Sequence, residues 1–200
     1  MLEDNIGYVQ VTEFDEVTSD QYIAAVDDLK AQGMEGLIVD IRDNPGGLLS
    51  CVVDMLGYML PEGTIVYTED KNGEGDTYTS DAEHYFDLPL AVLVNGNSAS
   101  ASEIFSGAIQ DYETGTIIGT QTFGKGIVQS ILPFNDGSAI KITVSRYFTP
   151  RGTCIHKEGI TPDVEVDLNE ELKTKLTIEK SEDNQLQKAI ENVKEQIAAE

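Results

Sequence analysis

The most informative part of the chain reads Gly36-Leu-Ile-Val-Asp-Ile-Arg42 and continues as Asp43-Asn-Pro-Gly-Gly47. The first seven residues form a short apolar run, which is typical of a strand buried on both faces of a sheet. The turn that follows contains Pro and two Gly, so it ends the strand. The apolar spacing of Leu48–Met59 then predicts a helix. A buried strand, a turn and a helix in this order indicate an α/β fold.

The same order recurs at Leu90–Val94, a second apolar run that a Ser/Ala-rich turn connects to a predicted helix at about Ser102–Asp111. Alternation, helical spacing and turn residues predict the remaining elements. The strands are Gly7–Phe14, Thr64–Tyr67, Asp76–Thr79, Thr116–Gly119, Ile127–Leu132 and Ser138–Phe148, and the helices are Ser19–Gln32 and Asp183–Ala198. We expect an α/β domain over residues 1–170, in which helices cover a largely parallel sheet, and a C-terminal segment over 171–200. The apolar stripe of the helix at about 183–198 fits packing on this core or on a second subunit, so a homo-oligomer stays open.

Charge and composition exclude several classes of function. The chain has 13 Lys and Arg against 36 Asp and Glu, a formal net charge of −23. Such a protein repels phosphate backbones and anionic lipid, so we expect no nucleic acid partner. Two Cys and two His are too few for a disulfide framework or a His-rich metal site, and no metal or other cofactor is predicted. The pattern G-x-x-x-x-G-K-G at 119–126 lacks the Ser or Thr of a P-loop and precedes a predicted strand, so no nucleotide is expected.

Two strand-to-helix turns could carry chemistry. The turn at 43–47 exposes backbone N–H groups at a helix N-terminus, where negative charge is favoured, although it also fits an ordinary turn. The second turn contains Ser98, Ser100 and Ser102, any of which could be a nucleophile at the end of a strand. Ser100 and Glu103 also fit a capping box, in which Ser100 would only cap the helix. The local pattern does not decide between these readings or among the three serines.

Lys125 is the candidate partner for a serine. Residues two and four apart on a strand share a face, which predicts that Lys125 and Gln129 project together. A lysine held by a glutamine and facing a serine is the layout of a Ser-Lys hydrolase, and such a lysine must be desolvated to lose its proton. A surface lysine in a Gly turn is the alternative. A Ser-His-Asp triad is disfavoured because His84 and His156 lie in polar stretches and no G-x-S-x-G surrounds a serine.

Four stretches, taken in order, resemble the carboxyl-terminal processing peptidases, or tail-specific proteases, of serine peptidase family S41. They are Asp40–Gly47, Val94–Glu103, Thr122–Gln129, and Thr149-Pro-Arg-Gly with Gly159-Ile-Thr-Pro-Asp163. The resemblance covers about residues 7–166. It implies a fold like that of the crotonase and Clp-protease superfamily, with a mixed sheet wrapped by helices. It also implies an endopeptidase that cleaves proteins near a non-polar C-terminus, outside the cytoplasm, without metal or nucleotide.

The resemblance also implies roles for individual residues. The catalytic residues would be the nucleophile Ser100, the general base Lys125 and the orienting residue Gln129. The oxyanion hole would be the Ala101 amide with an amide of the Gly46-Gly47 pair, of which Gly46 is favoured.

One departure from the family pattern concerns the start of the chain. Family members usually carry a PDZ domain before the strand that matches Gly7–Phe14, and we find neither a PDZ segment nor an export signal in this sequence. We therefore expect a catalytic core of a longer, extracytoplasmic protein. A peptide- or ligand-binding module of the same fold, without catalysis, is the alternative function.

Overall fold

The computed structural model describes residues 1–199, which form four α-helices and nine strands. The helices are α1 (Thr18–Ala31), α2 (Leu49–Gly57), α3 (Ala101–Tyr112) and α4 (Asn184–Ile197). The strands are β1 (Ile6–Gln10), β2 (Gly36–Asp40), β3 (Gly63–Glu69), β4 (Thr77–Ser80), β5 (Leu90–Val94), β6 (Thr116–Gly119), β7 (Ile127–Pro133), β8 (Ala139–Phe148) and β9 (Val164–Glu165). No helix in this part of the chain has the length and apolarity needed to cross a bilayer.

The first sheet is parallel, with the strand order β1-β2-β5-β6-β9. Every residue of β2 and β5 is buried, as expected of strands covered on both faces. The two strands are direct neighbours, with Leu37 opposite Leu90 and Asp40 opposite Leu93. Their carboxyl ends therefore lie side by side at one edge of the sheet.

Helices cover both faces of the parallel sheet. Alternate strand residues such as Val39 and Val92 pack with α1, α2 and α3 in the larger core cluster. The intervening residues, such as Ile38 and Leu93, pack against Val193 and its apolar neighbours on α4. The sequence left the partner of the terminal helix open, and in the structure the apolar stripe of this helix seals the second face of the sheet.

The second sheet is antiparallel, with the order β4-β3-β8-β7. The predicted turn at 135–137 joins β7 to β8, and Gly137 has a φ of +86°. The predicted α/β class with a sheet wrapped by helices is confirmed, with the strands divided between one parallel and one antiparallel sheet.

Three details differ from the sequence predictions. Strand β1 ends at Gln10 instead of Phe14, which forms only an isolated bridge with Gly47. The two-residue strand β9 was not predicted, because two residues carry no measurable alternation. The alternation argument for Lys125 and Gln129 does not apply, since Lys125 lies outside β7, which begins at Ile127. The ladder with β8 also contains a bulge, in which Val144 of β8 is the extra residue between the pairs of Val128 with Ser145 and of Gln129 with Thr143.

Candidate active site

Two loops meet where β2 and β5 end, and buried polar side chains join them. Ser98 Oγ donates to the Ile41 carbonyl at 2.8 Å, and Ser102 Oγ donates to the Asn44 carbonyl at 2.9 Å. The Ala99 N–H donates to the same Asn44 carbonyl at 3.0 Å. The turn at 43–47 is thus fixed against the serine-containing turn by contacts between residues more than 50 positions apart.

The structure distinguishes the three serines. Ser98 and Ser102 are fully buried, and both hydroxyls donate to main-chain carbonyls of the neighbouring loop. Ser100 is half-buried and lies between them at the N-cap of α3. Of the three serines, Ser100 is therefore the one that is accessible from solvent, a distinction that the local pattern could not make.

The backbone of Ser100 is strained. Its φ of +58° and ψ of −112° lie outside the left-handed helical region that non-glycine residues sometimes adopt. Residues held in such conformations cost about 1–3 kcal/mol and are concentrated at functional sites. The predicted capping box of Ser100 and Glu103 is present, and the Ser100 N–H donates to Glu103 Oε2 at 2.8 Å. Ser100 therefore caps α3 and is at the same time partly accessible from solvent.

The Glu103 carboxylate joins the serine turn to the lysine turn. Glu103 is fully buried, and Oε2 accepts the N–H groups of both Ser100 and Lys125 at 2.8 Å each. Oε1 accepts the Thr122 hydroxyl at 2.7 Å and the Gly124 N–H at 2.6 Å. The Glu103 carboxylate therefore accepts four hydrogen bonds, and the backbone N–H groups of Ser100 and Lys125 share one of its oxygens. From the sequence only the capping role of Glu103 can be predicted, because its other partners are about 20 residues away.

The side chains of Lys125 and Gln129 are both exposed. Gln129 Nε2 lies 3.5 Å from Thr143 Oγ1. In the described part of the chain the Lys125 amine makes no hydrogen bond to Ser100 or to Gln129. The structure thus brings the backbones of Ser100 and Lys125 together and leaves the lysine amine in solvent.

Gly46 lies against the serine. A Cβ at Gly46 would stand 2.8 Å from Ser100 Cβ and 3.0 Å from the Ala101 nitrogen, and Gly46 has a φ of +105°. Only glycine fits this position, because a side chain would clash with Ser100 and strain the backbone. The turn around Gly46 therefore forms one wall of the space next to Ser100.

The two glycine amides differ in their partners. The Gly46 N–H donates to Asn44 Oδ1 at 2.8 Å, so this group already has an acceptor. The Gly46 carbonyl accepts the Phe14 N–H at 3.0 Å. In a trans peptide the following N–H points the opposite way, so the Gly47 N–H points away from Phe14. Within residues 1–199 neither the Gly47 N–H nor the Ala101 N–H has a hydrogen-bond partner.

An ion-pair network anchors the same loop to the C-terminal helix. Arg42 contacts Asp40 at 2.6 Å and Asp183, the N-cap of α4, at 2.7 Å. Burial alone lowers the pKa of the Arg42 guanidinium, but its bonds to both carboxylates outweigh burial and raise that pKa above its usual value. Burial alone raises the pKa of the Asp183 carboxyl, but Arg42 and two backbone N–H groups hold it below its usual range.

The remaining candidates from the sequence lie elsewhere. His84 stacks on the Tyr58 ring with centroids 5.4 Å apart. Cys51 is buried, and burial raises the pKa of its thiol, which disfavours the reactive thiolate. Among residues 1–199 no three His, Cys, Asp or Glu side chains are arranged to hold a metal ion.

Comparisons with a family model and with known proteins identify the same family of peptidases. The family model described as Peptidase family S41 matches residues 5–166. A carboxyl-terminal-processing protease from Synechocystis sp. is 44% identical over 159 residues, covering 80% of this chain and 37% of the relative. The carboxy-terminal processing protease CtpA of Bacillus subtilis is 39% identical, covering 84% of this chain and 36% of the relative. The chain thus spans little more than a third of the length of these relatives.

Solved structures show the same similarity. The photosystem II D1 C-terminal processing protease superposes with a TM-score of 0.78 at 40% identity, covering 81% of this chain and 42% of that one. A lipoprotein from Streptococcus agalactiae superposes with a TM-score of 0.68 at 21% identity, covering 83% and 63% of the two chains. The second similarity is one of fold alone.

Proposed function

The chain belongs to peptidase family S41, and on that premise we propose that it is a serine endopeptidase in which Ser100 attacks the peptide carbonyl and Lys125 is the general base. The observation that carries the proposal is the Glu103 carboxylate, whose Oε2 binds the N–H groups of both residues. Catalytic groups must be held close together before the reaction, and a buried carboxylate with four donors supplies this rigidity.

The proposed reaction is acyl transfer. The neutral Lys125 amine accepts the proton of the Ser100 hydroxyl while Oγ forms a bond to the carbonyl carbon. The tetrahedral intermediate then collapses, the C–N bond breaks, and Lys125 gives the proton to the leaving amine. Water hydrolyses the acyl-serine in the second half of the reaction, with Lys125 again accepting a proton. Gln129 orients the lysine amine. Because Lys125 is exposed, the desolvation that a neutral amine needs is supplied when the polypeptide substrate covers it.

We assign the oxyanion hole to the N–H groups of Ala101 and Gly47. Ala101 is the first residue of α3, so its N–H lies at the positive end of the helix. Gly47 is preferred to Gly46, because the Gly46 N–H already donates to Asn44. A donor of this kind typically contributes about 3 kcal/mol of transition-state stabilisation.

The substrate class follows from the same premise. We propose that the whole protein cleaves other proteins near a non-polar C-terminus and does so outside the cytoplasm. The family resemblance of the four motifs supports this, as does the similarity to relatives named as carboxyl-terminal processing proteases. Digestion of a protein with a non-polar tail, followed by mass spectrometry, tests the position of the cut.

A direct experiment tests the two catalytic assignments. Ser100→Ala and Lys125→Ala should each abolish cleavage of a peptide with a non-polar tail while circular dichroism stays unchanged. The matched controls are Ser181→Ala and Lys71→Ala, which replace exposed residues distant in the sequence from Ser100 and Lys125. Full activity of Lys125→Ala would contradict its role as the base.

The second candidate is a peptide-binding module without catalysis. The exposed Lys125 amine, which makes no hydrogen bond to Ser100, favours it. A fluorophosphonate reagent distinguishes the candidates, because an activated Ser100 forms a covalent adduct that Ser100→Ala cannot form. Peptide binding with neither an adduct nor cleavage would favour the binding module.

A further inference from the structure

Asn44 is a fully buried polar residue in the turn at 43–47, and both polar atoms of its side chain have partners. Its Nδ2 donates to the Val11 carbonyl at 2.8 Å, and its Oδ1 accepts the Gly46 N–H at 2.8 Å. Because one partner is an acceptor and the other is a donor, the amide has a single orientation. Burying an amide is costly unless it is hydrogen-bonded, so these two contacts hold the side chain in place.

The loop between β1 and α1, residues 11–17, holds the glycine pair of this turn. The Phe14 N–H donates to the Gly46 carbonyl at 3.0 Å, which fixes the plane of the peptide that carries the Gly47 N–H. Two consecutive glycines have wide conformational freedom, so this peptide needs outside contacts to keep one orientation. The Asn44 side chain binds the loop and Gly46 at once, and it therefore keeps the loop aligned with the glycine pair.

The main-chain carbonyl of Asn44 holds the serine-containing turn. It accepts the Ala99 N–H at 3.0 Å and the Ser102 hydroxyl at 2.9 Å. Ala101 lies between these two donors in the chain, so the position of its N–H relative to Asn44 is fixed. Gly47 and Ala101 are the donors that we assign to the oxyanion hole, and such donors must both reach one oxygen at about 2.7–3.1 Å. Asn44 thus bonds to the two segments that carry these donors.

We propose that Asn44 is a positioning residue, which sets the separation between the N–H groups of Gly47 and Ala101. This inference rests on the proposed function, because an oxyanion forms only if Ser100 attacks a carbonyl. Asn44 is fully buried, so it acts through the backbone and does not touch the substrate. A replacement without the amide leaves the Gly46 N–H without its acceptor, and the glycine peptide can then turn. Stabilisation of the transition state is lost while substrate binding is retained.

Two ligands with the same peptide sequence test the proposal. A tetrapeptide aldehyde of Ala and Val forms an adduct with Ser100 whose oxygen lies where the oxyanion forms, and the corresponding alcohol forms no adduct. Isothermal titration calorimetry measures the affinity of each ligand. The preference for the aldehyde over the alcohol should fall by about ten-fold or more in Asn44→Ala, because the donors no longer converge. In peptide cleavage the kcat should fall by about 100-fold, with KM changed by less than about two-fold.

Two serine variants separate positioning from stability. Ser102→Ala removes one bond to the Asn44 carbonyl and should also lower the preference for the aldehyde. Its result is the test if circular dichroism shows that Asn44→Ala does not fold. Ser80→Ala is the matched control, because it removes a similarly buried hydroxyl that donates to the Leu60 carbonyl at 3.0 Å, and it should keep the preference.

The outcomes distinguish this inference from the proposed function. An unchanged preference in folded Asn44→Ala, or in Ser102→Ala if Asn44→Ala is unfolded, would overturn the role of Asn44 even though the unmodified chain cleaves peptides. An equal loss in Ser80→Ala would also overturn it, because the effect would then be one of stability. An unmodified chain that neither cleaves the peptide nor prefers the aldehyde would overturn the proposed function, and this inference with it.

Discussion

The replacement Glu103→Gln isolates the contribution of one buried carboxylate. Each oxygen of Glu103 accepts two donors, so the amide nitrogen of Gln must face two donors in either orientation. The less costly orientation turns the nitrogen towards Thr122, whose hydroxyl can rotate to accept it. The Gly124 N–H is then left without an acceptor inside the protein.

The free energy of unfolding should fall by about 3–5 kcal/mol. A buried polar group without a partner costs about 1–3 kcal/mol, and exchanging a charged for a neutral acceptor costs about 1 kcal/mol for each of the two remaining bonds. Domains are stable by about 5–15 kcal/mol, so this loss is a large fraction of the total. The rate at which a fluorophosphonate labels Ser100 should also fall, because the serine and lysine turns lose their common acceptor.

Urea unfolding followed by far-ultraviolet circular dichroism measures the stability change, since the chain contains no Trp for fluorescence. Glu113→Gln is the matched control, because Glu113 is exposed and, within residues 1–199, pairs with exposed Arg151 alone. It should change the free energy of unfolding by less than about 0.5 kcal/mol. Labelling is compared at a temperature where both variants are folded. A Glu103→Gln variant within about 1 kcal/mol of the unmodified chain would show that Glu103 does not hold the two turns together.

Two further predictions follow from the loop at 43–47 and its anchor. Gly46→Ala should lower the free energy of unfolding by about 1–3 kcal/mol and slow the labelling of Ser100, because the added Cβ would stand 2.8 Å from Ser100 Cβ. Gly57→Ala is the control for urea unfolding, because a Cβ at Gly57 meets nothing within 4 Å. Asp183→Asn should lower the unfolding free energy by about 2 kcal/mol at neutral pH, because Arg42 loses one of its two carboxylate partners. The folded-state pKa of Asp183 is depressed, so its contribution is present above the ordinary carboxyl pKa and is lost as the pH falls through the lower folded value. The difference between Asp183→Asn and the unmodified chain should therefore shrink as urea titrations move from pH 7 towards pH 3, and a constant difference would contradict the role of this charge.

The sequence predicted the elements whose signal is local. Strands β2 and β5 are continuous apolar runs, and the structure buries every one of their residues. The turns after these strands are marked by Pro, Gly and Ser, and the parallel pairing of β2 and β5 brings the turns together at one edge. Motif spacing alone could therefore indicate where the site lies.

The remaining features depend on contacts that local patterns do not encode. The capping signal of Glu103 says nothing about its bonds to Thr122, Gly124 and Lys125, which form only when two distant turns meet. The alternation of residues 125–129 does not show that the strand begins only at Ile127, so it could not predict how Lys125 and Gln129 lie relative to each other. The apolar stripe of α4 indicated burial but not the surface that buries it.

The packing of α4 brings the two ends of the described chain close together. Leu2 packs beside the apolar residues of α4, and Lys194 forms an ion pair with Asp4. Ends that lie this near each other are the usual requirement for circular permutation. A short Gly/Ser linker can close the polypeptide into a ring, and the exposed turn at 135–137 then offers a place to open it. The order in which the elements are synthesised can thus be changed while both faces of the parallel sheet stay covered.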